Sequence, residues 1–537
     1  MKLTLIGAAH QVTGSCSLLE WLSGRYLLID CGMEQGENEF EMAELPIAAS
    51  SVEYVILTHA HIDHSGNLPF LYQQGFRGKI YATPETANLC SIMLADSAHI
   101  QETDAAYQTK KNQRAGLPEV KPVYTAEDAA NVMKLFRPCA YGEIIQVDEG
   151  LSLRFTDAGH LLGSAFAELF LEECGQKIKF VCSGDVGNLN QPIIRDPQPV
   201  SDADYLLIES TYGTRFHDGG NDPIPVLTDI IRRTFQRGGT VIIPSFAVGR
   251  TQELLYFFRE IKQRNLLPEF PSFPVYVDSP LANEATAIFL QCDTACLDED
   301  ARKVMAEGEN PIWFDGLHTV VSSEESKALN TNAETKVIIA SGGMCEGGRI
   351  RHHLKHNLWN EKNTVMFAGY QAAGTLGRII YDGVKEVKVL GETIEVKAEI
   401  TLLTGISGHA DQDGLLKWLE QYEHKPSVVF VNHGDDDSCT GLARIIREKY
   451  GIEAFAPYSG SEYDLCRHEW IRLTDPVYRK TIKKKETNES APENKKEKLY
   501  RELLNAEQAL NEMIRGMEGY SNGEIRSLTQ KIRDLIG

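Results

Sequence analysis

T-H-A-H-I-D-H, residues 58–64, places three histidines and an aspartate within seven positions, directly after the apolar run S-V-E-Y-V-I-L at 51–57. The run is β-branched and short, so it reads as a buried strand, and the cluster falls on the loop that follows it. Four polar groups so placed all need partners, and metal ligation supplies them. His59 and His61 can converge on one ion, while Asp63 and His64 can serve a second. Imidazole nitrogen and carboxylate oxygen suit Zn²⁺, and two ions about 3.5–4 Å apart suit in-line displacement at phosphorus.

One cluster cannot complete such a site, and six further apolar runs end in a comparable residue. Y-L-L-I-D delivers Asp30, L-S-L-R-F-T-D-A-G-H delivers His160 and I-K-F-V-C-S-G-D delivers Asp185. Y-L-L-I-E-S delivers Glu209, I-T-L-L-T-G-I-S-G-H delivers His409 and S-V-V-F-V-N-H delivers His433. Loops at the carboxyl ends of strands converge to form sites, so these residues are expected at one sheet edge. Asp185 is the natural bridge, since each carboxylate oxygen can take one ion. Asp30 reads either as a turn residue or as an acceptor orienting a ligand histidine. His10, His217, His318 and the helical trio His352, His353 and His356 receive no role.

With 537 residues the chain exceeds one ordinary core, so two or three domains are expected. No apolar run approaches the roughly 18 residues of a membrane span, and the N-terminus is too quickly polar for a secretory signal. Eleven cysteines without C-x-x-C pairs point to a reducing cytoplasm. The net charge of −22 counts against indiscriminate polyanion binding. A nucleic-acid enzyme of this charge must confine its cations to one cleft.

From about 212 to 400 the rhythm changes to strand, Gly-rich turn, helix, as in T-V-I-I-P-S-F-A-V-G-R-T-Q and K-V-I-I-A-S-G-G-M-C-E-G-G-R. This predicts a parallel, doubly wound α/β domain, after which 401–473 returns to strand-then-histidine, as though the second domain interrupts the first. Residues 474–498 read as a charged linker, with eight Lys/Arg against four Glu between Arg479 and Lys498. Residues 499–537 show helical spacing and a capping box at Ser521 and Glu524. Such helices would pack on the body or on a second copy in a homodimer, or else form a solvated tail.

These motifs together resemble the metallo-β-lactamase superfamily and, within it, the β-CASP nucleases, closest to prokaryotic relatives of the cleavage and polyadenylation specificity factor endonuclease. The resemblance covers residues 1 to about 470. It rests on G-A-A-H-Q-V-T-G-S-C, Asp30, H-A-H-I-D-H, G-H-L-L-G-S-A, S-G-D, I-E-S-T-Y-G, S-G-H-A-D and F-V-N-H-G-D, all in the family order. It implies an αββα sandwich (1–211 and 401–473) with an inserted β-CASP domain (212–400) and a helical tail. It also implies one zinc held by His59, His61, His160 and Asp185 and another by Asp63, His64, Asp185 and His433. His409 would be the general acid and Glu209 its orienting partner. A histidine at position 433 resembles the RNA-directed members, and the implied products are 5′-phosphate and 3′-hydroxyl ends, by endonucleolytic or 5′→3′ exonucleolytic cleavage. Zinc brings the pKa of water from 15.7 towards roughly 7, which supplies hydroxide at neutral pH.

RNA phosphates need donors. The turn at 341–349, with Ser341, Gly342, Gly343 and Arg349, leads into a helix and can present N–H groups to an anion. Arg250 and Arg378 follow similar turns. No Walker or G-x-G-x-x-G motif is present, which argues against a nucleotide cofactor. Two other readings stay open at this point: a hydrolase of another ester or phosphodiester on the same scaffold, and a non-catalytic RNA-binding subunit.

Overall fold

A computed structural model describes residues 1–479 apart from 37, 218–221 and 373, together with 526, 529–531 and 533. Strands with alternating burial build two facing sheets. Leu151–Asp157 buries every second side chain deeply, the period of a pleated strand with one face inward. It lies in a seven-stranded sheet ordered Glu453–Phe455, Val428–Val431, Tyr205–Ile208, Gln176–Cys182, Ala165–Glu173, Leu151–Asp157, Ile145–Asp148. An eight-stranded sheet, with Lys2–Gly7, Cys16–Trp21, Arg25–Ile29, Val52–Ile56 and Lys79–Ala82 in succession, faces it. Leu19, Leu27 and Ile56 of one sheet and Leu153, Phe180, Leu207 and Phe430 of the other fill the space between.

Helices close the outer faces. Leu415, Leu419, Leu442 and Ile446, from helices Gln412–Glu420 and Asp436–Tyr450, cover Val181, Leu206 and Val429. Leu68, Leu89 and Leu94 cover Val55 and Ile80 on the other side. The result is an αββα sandwich.

A third sheet of six strands lies within the 212–400 region and just beyond it. Its order is Leu317–Thr319, Val275–Asp278, Val337–Ser341, Val241–Ser245, Thr364–Phe367, Glu399–Leu402, and every pairing is parallel. Val241–Ser245 is buried along its whole length, as expected for a parallel strand covered on both faces. One apolar cluster runs without a break from Leu89 and Leu161 of the sandwich to Leu255, Phe258 and Val277 of the insert. The insert therefore packs on the body through a shared core.

Two boundaries differ from the sequence reading. The strand Glu399–Leu402, which a division at 400 cuts, pairs with Thr364–Phe367 in the inserted sheet. The chain returns to the sandwich only afterwards, where Ala410 N–H donates to Val186 O at 2.8 Å and His409 bridges to Gly187. His409 thus sits on a crossover between sheets. Its preceding apolar run fits either sheet by composition, and only the neighbouring strand decides.

The charged linker also begins later than 474. Thr474 Oγ1 donates to Ser459 O at 2.9 Å, Glu41 N–H donates to Val477 O at 2.7 Å, and Arg479 N–H donates to Glu39 O at 2.9 Å. The rest of the expected linker, 480–498, and the helical tail, 499–537, lie outside the described residues, save for 526, 529–531 and 533, which are helical. Among the described residues no helix is long and apolar enough to cross a membrane.

The strand Glu462–Asp464 pairs with Lys2–Gly7 inside the eight-stranded sheet. A chain ending at Arg479 should therefore keep native circular dichroism and a cooperative thermal transition. One ending at residue 457 should lose the transition or become insoluble; equal melting of the two would refute this account of the C-terminal boundary.

Candidate metal centre

Strand ends of both sandwich sheets meet at one rim. Asp30 follows Arg25–Ile29, and the 58–64 cluster follows Val52–Ile56. His160, Asp185, Glu209 and His433 follow Leu151–Asp157, Gln176–Cys182, Tyr205–Ile208 and Val428–Val431. A single helical turn, Ile62–Ser65, then curls Asp63 and His64 back towards the rim. Cys31 N–H donates to His64 O at 2.8 Å and Met33 N–H to Ile62 O at 2.9 Å, which fastens that turn. The approach is so close that a Cβ on Gly32 would lie 1.6 Å from the Asp63 carbonyl oxygen, so only glycine fits.

The donor atoms form two adjoining sets. His59 Nε2 and His160 Nε2 lie 3.1 and 3.2 Å from His61 Nδ1, and 3.4 and 3.5 Å from Asp185 Oδ2. Atoms 2.0–2.1 Å from a tetrahedral ion are about 3.3–3.4 Å from one another, so these separations are those of tetrahedral coordination. In the second set His64 Nε2 lies 3.1 Å from His433 Nε2 and 3.3 Å from Asp185 Oδ1, and Asp63 Oδ2 lies 3.7 Å from His433 Nε2. Each oxygen of Asp185 faces a different set. Its Oδ1 is buried without a hydrogen bond among the described residues, a costly state for an acceptor that no cation balances.

The outer nitrogens settle which way the lone pairs point. His64 Nδ1 meets Asp30 Oδ2 at 2.7 Å and His160 Nδ1 meets Gly408 O at 2.8 Å, while His433 Nδ1 lies between Thr211 Oγ1 at 3.2 Å and Asp185 Oδ1 at 3.5 Å. A proton shared with those oxygens leaves the inner nitrogen free to donate electrons. Burial pushes His59, His61 and His160 down, His61 to about 3, which favours neutral imidazole. Burial opposes charge on Asp63 and Asp185 too, but the surrounding imidazoles, His433 foremost, hold both below the usual carboxylate range. Around His64 and His433 the carboxylates outweigh burial and raise the pKa. A cation entering there would displace the proton.

Backbone conformation is stressed where the ligands are held. Asp30 and His433 have φ of 59° and 51°, rare for residues with a Cβ. Asp30 N–H donates to Ile56 O at 2.9 Å and His433 N–H to Ala8 O at 2.8 Å, which pins both.

His409 stands beside the first set. Its ring centroid is 4.5 Å from that of His160, and its Nδ1 lies 3.2 Å from Glu209 Oε1 and 3.9 Å from Asp185 Oδ2. Glu209 is fixed by Val186 N–H at 2.6 Å and Thr211 N–H at 3.2 Å. Burial pushes the His409 pKa down, but Glu209, then Asp185 and Asp63, push it up to about 9.

Family models match three parts of the chain: "Metallo-beta-lactamase superfamily" at 11–110, "Beta-Casp domain" at 251–380 and "Zn-dependent metallo-hydrolase RNA specificity domain" at 393–457. A protein of Thermus thermophilus named Ribonuclease TTHA0252 is 37% identical over 447 residues, 83% of this chain and 96% of its own length. Proteins named Transcription termination factor FttA, from Methanosarcina mazei and Methanocaldococcus jannaschii, are 32% and 30% identical over 85% of this chain and 70% of theirs. The chain belongs to the β-CASP ribonuclease family of the metallo-β-lactamase superfamily. It is accordingly an enzyme, a metal-dependent hydrolase of that family.

The structure treats the phosphate candidates of this β-CASP chain unevenly. Arg349 is turned away: its guanidinium holds the fully buried Asp278 at 2.6 Å and Val321 O at 2.6 Å, so leaving for a phosphate would strand a buried carboxylate. Gly342 serves packing, since a Cβ there would lie 2.3 Å from Gly347 O. Ser341 ends its strand, and Gly343 lies against the Phe246 ring. Arg250 is paired with Glu253 inside the protein, and Arg378 with Asp382 on the surface at 2.9 Å. His353, which received no role, is buried against Asp278 at 2.6 Å.

Two residues given no role in the sequence reading hold the His409 backbone. His217 Nε2 lies 2.9 Å from His409 O, and Ser407 Oγ accepts from His409 N–H at 3.3 Å. The His217 contact has no local signal, because 192 positions separate it from His409, whereas Ser407 lies two residues away within S-G-H-A-D.

Because Asp185 serves both sets, Asp185→Ala should strip metal from both, whereas His433→Ala should lower the content by about half. Asp30→Asn should weaken metal affinity about 10–100-fold. Elemental analysis after zinc loading and gel filtration reads all three; full metal in Asp185→Ala would contradict the assignment.

Proposed function

We propose that this protein is a zinc-dependent ribonuclease that hydrolyses phosphodiester bonds of single-stranded RNA and leaves 5′-phosphate and 3′-hydroxyl ends. The observation that carries the reading is His409, an imidazole held through Nδ1 by a buried glutamate at the edge of a donor set built for cations. A hydrolase of activated small esters has little need of such an acid; a phosphodiester with an alkoxide leaving group does.

His59, His61, His160 and Asp185 would hold one zinc, and Asp63, His64, Asp185 and His433 the other. Zinc there would supply Lewis acidity towards the phosphate oxygens and a lowered water pKa. His409 Nε2 carries no hydrogen bond among the described residues, and its side chain is 24% exposed. It is the atom that delivers a proton to the departing 3′-oxygen, a contribution of about 10²–10⁴-fold. Glu209 keeps that proton on the ring at neutral pH. RNA as substrate is supported by the matched RNA specificity domain, which contains both His409 and His433, and by relatives named ribonuclease and transcription termination factor. The described cysteines are all free, and we place the enzyme in the cytoplasm.

The deciding experiment incubates zinc-loaded protein with internally labelled RNA. Asp63→Ala or His64→Ala should abolish cleavage with circular dichroism intact; retained cleavage would sink the reading. Circular RNA tests the mode: its cleavage shows endonuclease action.

His409→Ala should slow RNA cleavage about 10²–10⁴-fold, but slow a p-nitrophenyl phosphodiester far less, because that leaving group needs no proton. Equal slowing of both substrates would remove His409 from the acid role.

The raised pKa of His409 means that the acid form is present below it and is lost as pH rises through about 9. Glu209→Gln should therefore move the alkaline limb of the kcat profile about one unit or more towards lower pH. An unmoved limb would show that Glu209 does not hold the proton.

A further inference from the structure

The three arginines read as phosphate partners, and Arg215 of the loop beside His409, already hold carboxylates. Arg250 pairs with Glu253, Arg349 with Asp278, Arg378 with Asp382, and Arg215 with Asp435. With a net charge of −22 over the whole chain, phosphate attraction is a weak way to hold RNA here, and another source of affinity is needed.

Two aromatic side chains lie open where such affinity would act. Phe246 and Tyr370 are 52% and 55% exposed. They follow the adjacent parallel strands Val241–Ser245 and Thr364–Phe367, so both stand at the carboxyl edge of the inserted sheet. That edge faces the metal centre. A Cβ on Gly249, in the Phe246 loop, would lie 3.1 Å from Leu161, the residue after His160. Tyr212 has its ring 6.2 Å from that of His409, and its hydroxyl lies within electrostatic reach of Arg250 and Tyr370. By contrast Trp313 and Trp359, equally exposed, precede their strands Leu317–Thr319 and Thr364–Phe367 and so belong to the opposite edge.

The backbone beneath these rings is fixed while the rings are bare. Thr251 Oγ1 donates to Phe246 O at 2.6 Å. The buried Gln371 Nε2 reaches Gly343 O at 3.1 Å, Tyr370 O at 3.1 Å and Gly369 O at 3.3 Å, tying the two neighbouring loops together. A Cβ on Gly343 would lie 3.2–3.4 Å from three Phe246 ring carbons, so this backbone supports one side of the ring. Exposed rings on a stiff base at the mouth of a hydrolytic site have the chemistry of a stacking surface, since every nucleobase offers a π face.

We propose that Phe246 and Tyr370 form a base-stacking subsite that seats single-stranded RNA on the inserted domain and feeds it to the metal rim. The inference rests on the ribonuclease reading and adds how the substrate is held: by its bases, with little preference among them, more than by its phosphates. It predicts that removing bases weakens binding even when every phosphate is kept.

The test is a cycle between ring and base with the full-length zinc-loaded enzyme. Wild type, Phe246→Ala, Tyr370→Ala, the double variant and the aromatic replacements Phe246→Trp and Tyr370→Phe are assayed. The substrates are one oligoribonucleotide and its counterpart carrying abasic residues beside the cleaved bond. On normal RNA each alanine should raise KM on the order of ten-fold, with kcat little changed and metal content and circular dichroism native. The aromatic replacements should restore KM. On abasic RNA wild type and the double variant should have the same KM, and 2-aminopurine fluorescence should be quenched on binding wild type but not the double variant. If wild type cleaves RNA but its KM ignores both the alanines and the missing bases, the subsite is wrong, and these rings serve another partner such as a protein. If wild type cleaves no RNA at all, the ribonuclease reading fails first and takes this one with it.

Discussion

Five imidazole nitrogens and three carboxylate oxygens point at one another across gaps of 3.1–3.7 Å around Asp185. Facing lone pairs repel, and in a buried site water cannot screen them. Such an arrangement persists only if the surrounding structure forces it and a cation rewards it. The sandwich supplies the force: strand ends from two sheets, a one-turn helix fastened by the 31–33 backbone, and Asp30, Gly408 O and Thr211 behind the rings of His64, His160 and His433. The positive φ of Asp30 and of His433 is the local cost, offset by hydrogen bonds that leave neither residue an alternative.

The insert also positions a residue of the site. Its last strand, Glu399–Leu402, hands the chain back to the sandwich through the segment that carries His409. His409 is thereby anchored on both bodies, with Glu209 of one behind its ring and Ser407 and His217 around its backbone. A shared apolar core makes that seam stiff, so the distance from His409 to Asp185 is set by packing and not by a loose loop.

Electrostatics divides the labour at the rim. Against burial, Glu209, Asp185 and Asp63 raise the pKa of His409, while burial lowers those of His59, His61 and His160. Arg250, Arg349, Arg378 and Arg215 each have a carboxylate partner, so none of the four adds free positive charge.

Much of this was legible from residue order. The H-x-H-x-D-H cluster, the strand endings at Asp30, His160, Asp185, Glu209 and His433, and the change of rhythm near 212 are local patterns, and local patterns follow from periodicity and side-chain chemistry. What they determine is the αββα scaffold, the inserted parallel sheet and the identity of the donors. Tertiary structure alone decided the rest. It assigned the strand before His409 to the inserted sheet, docked 474–479 on the body, tied Arg349 to Asp278, and brought His217 beside His409 from 192 positions away. Each of these depends on which distant group fills a space, and burial energy and ion pairing between remote residues leave no trace in the spacing of neighbours.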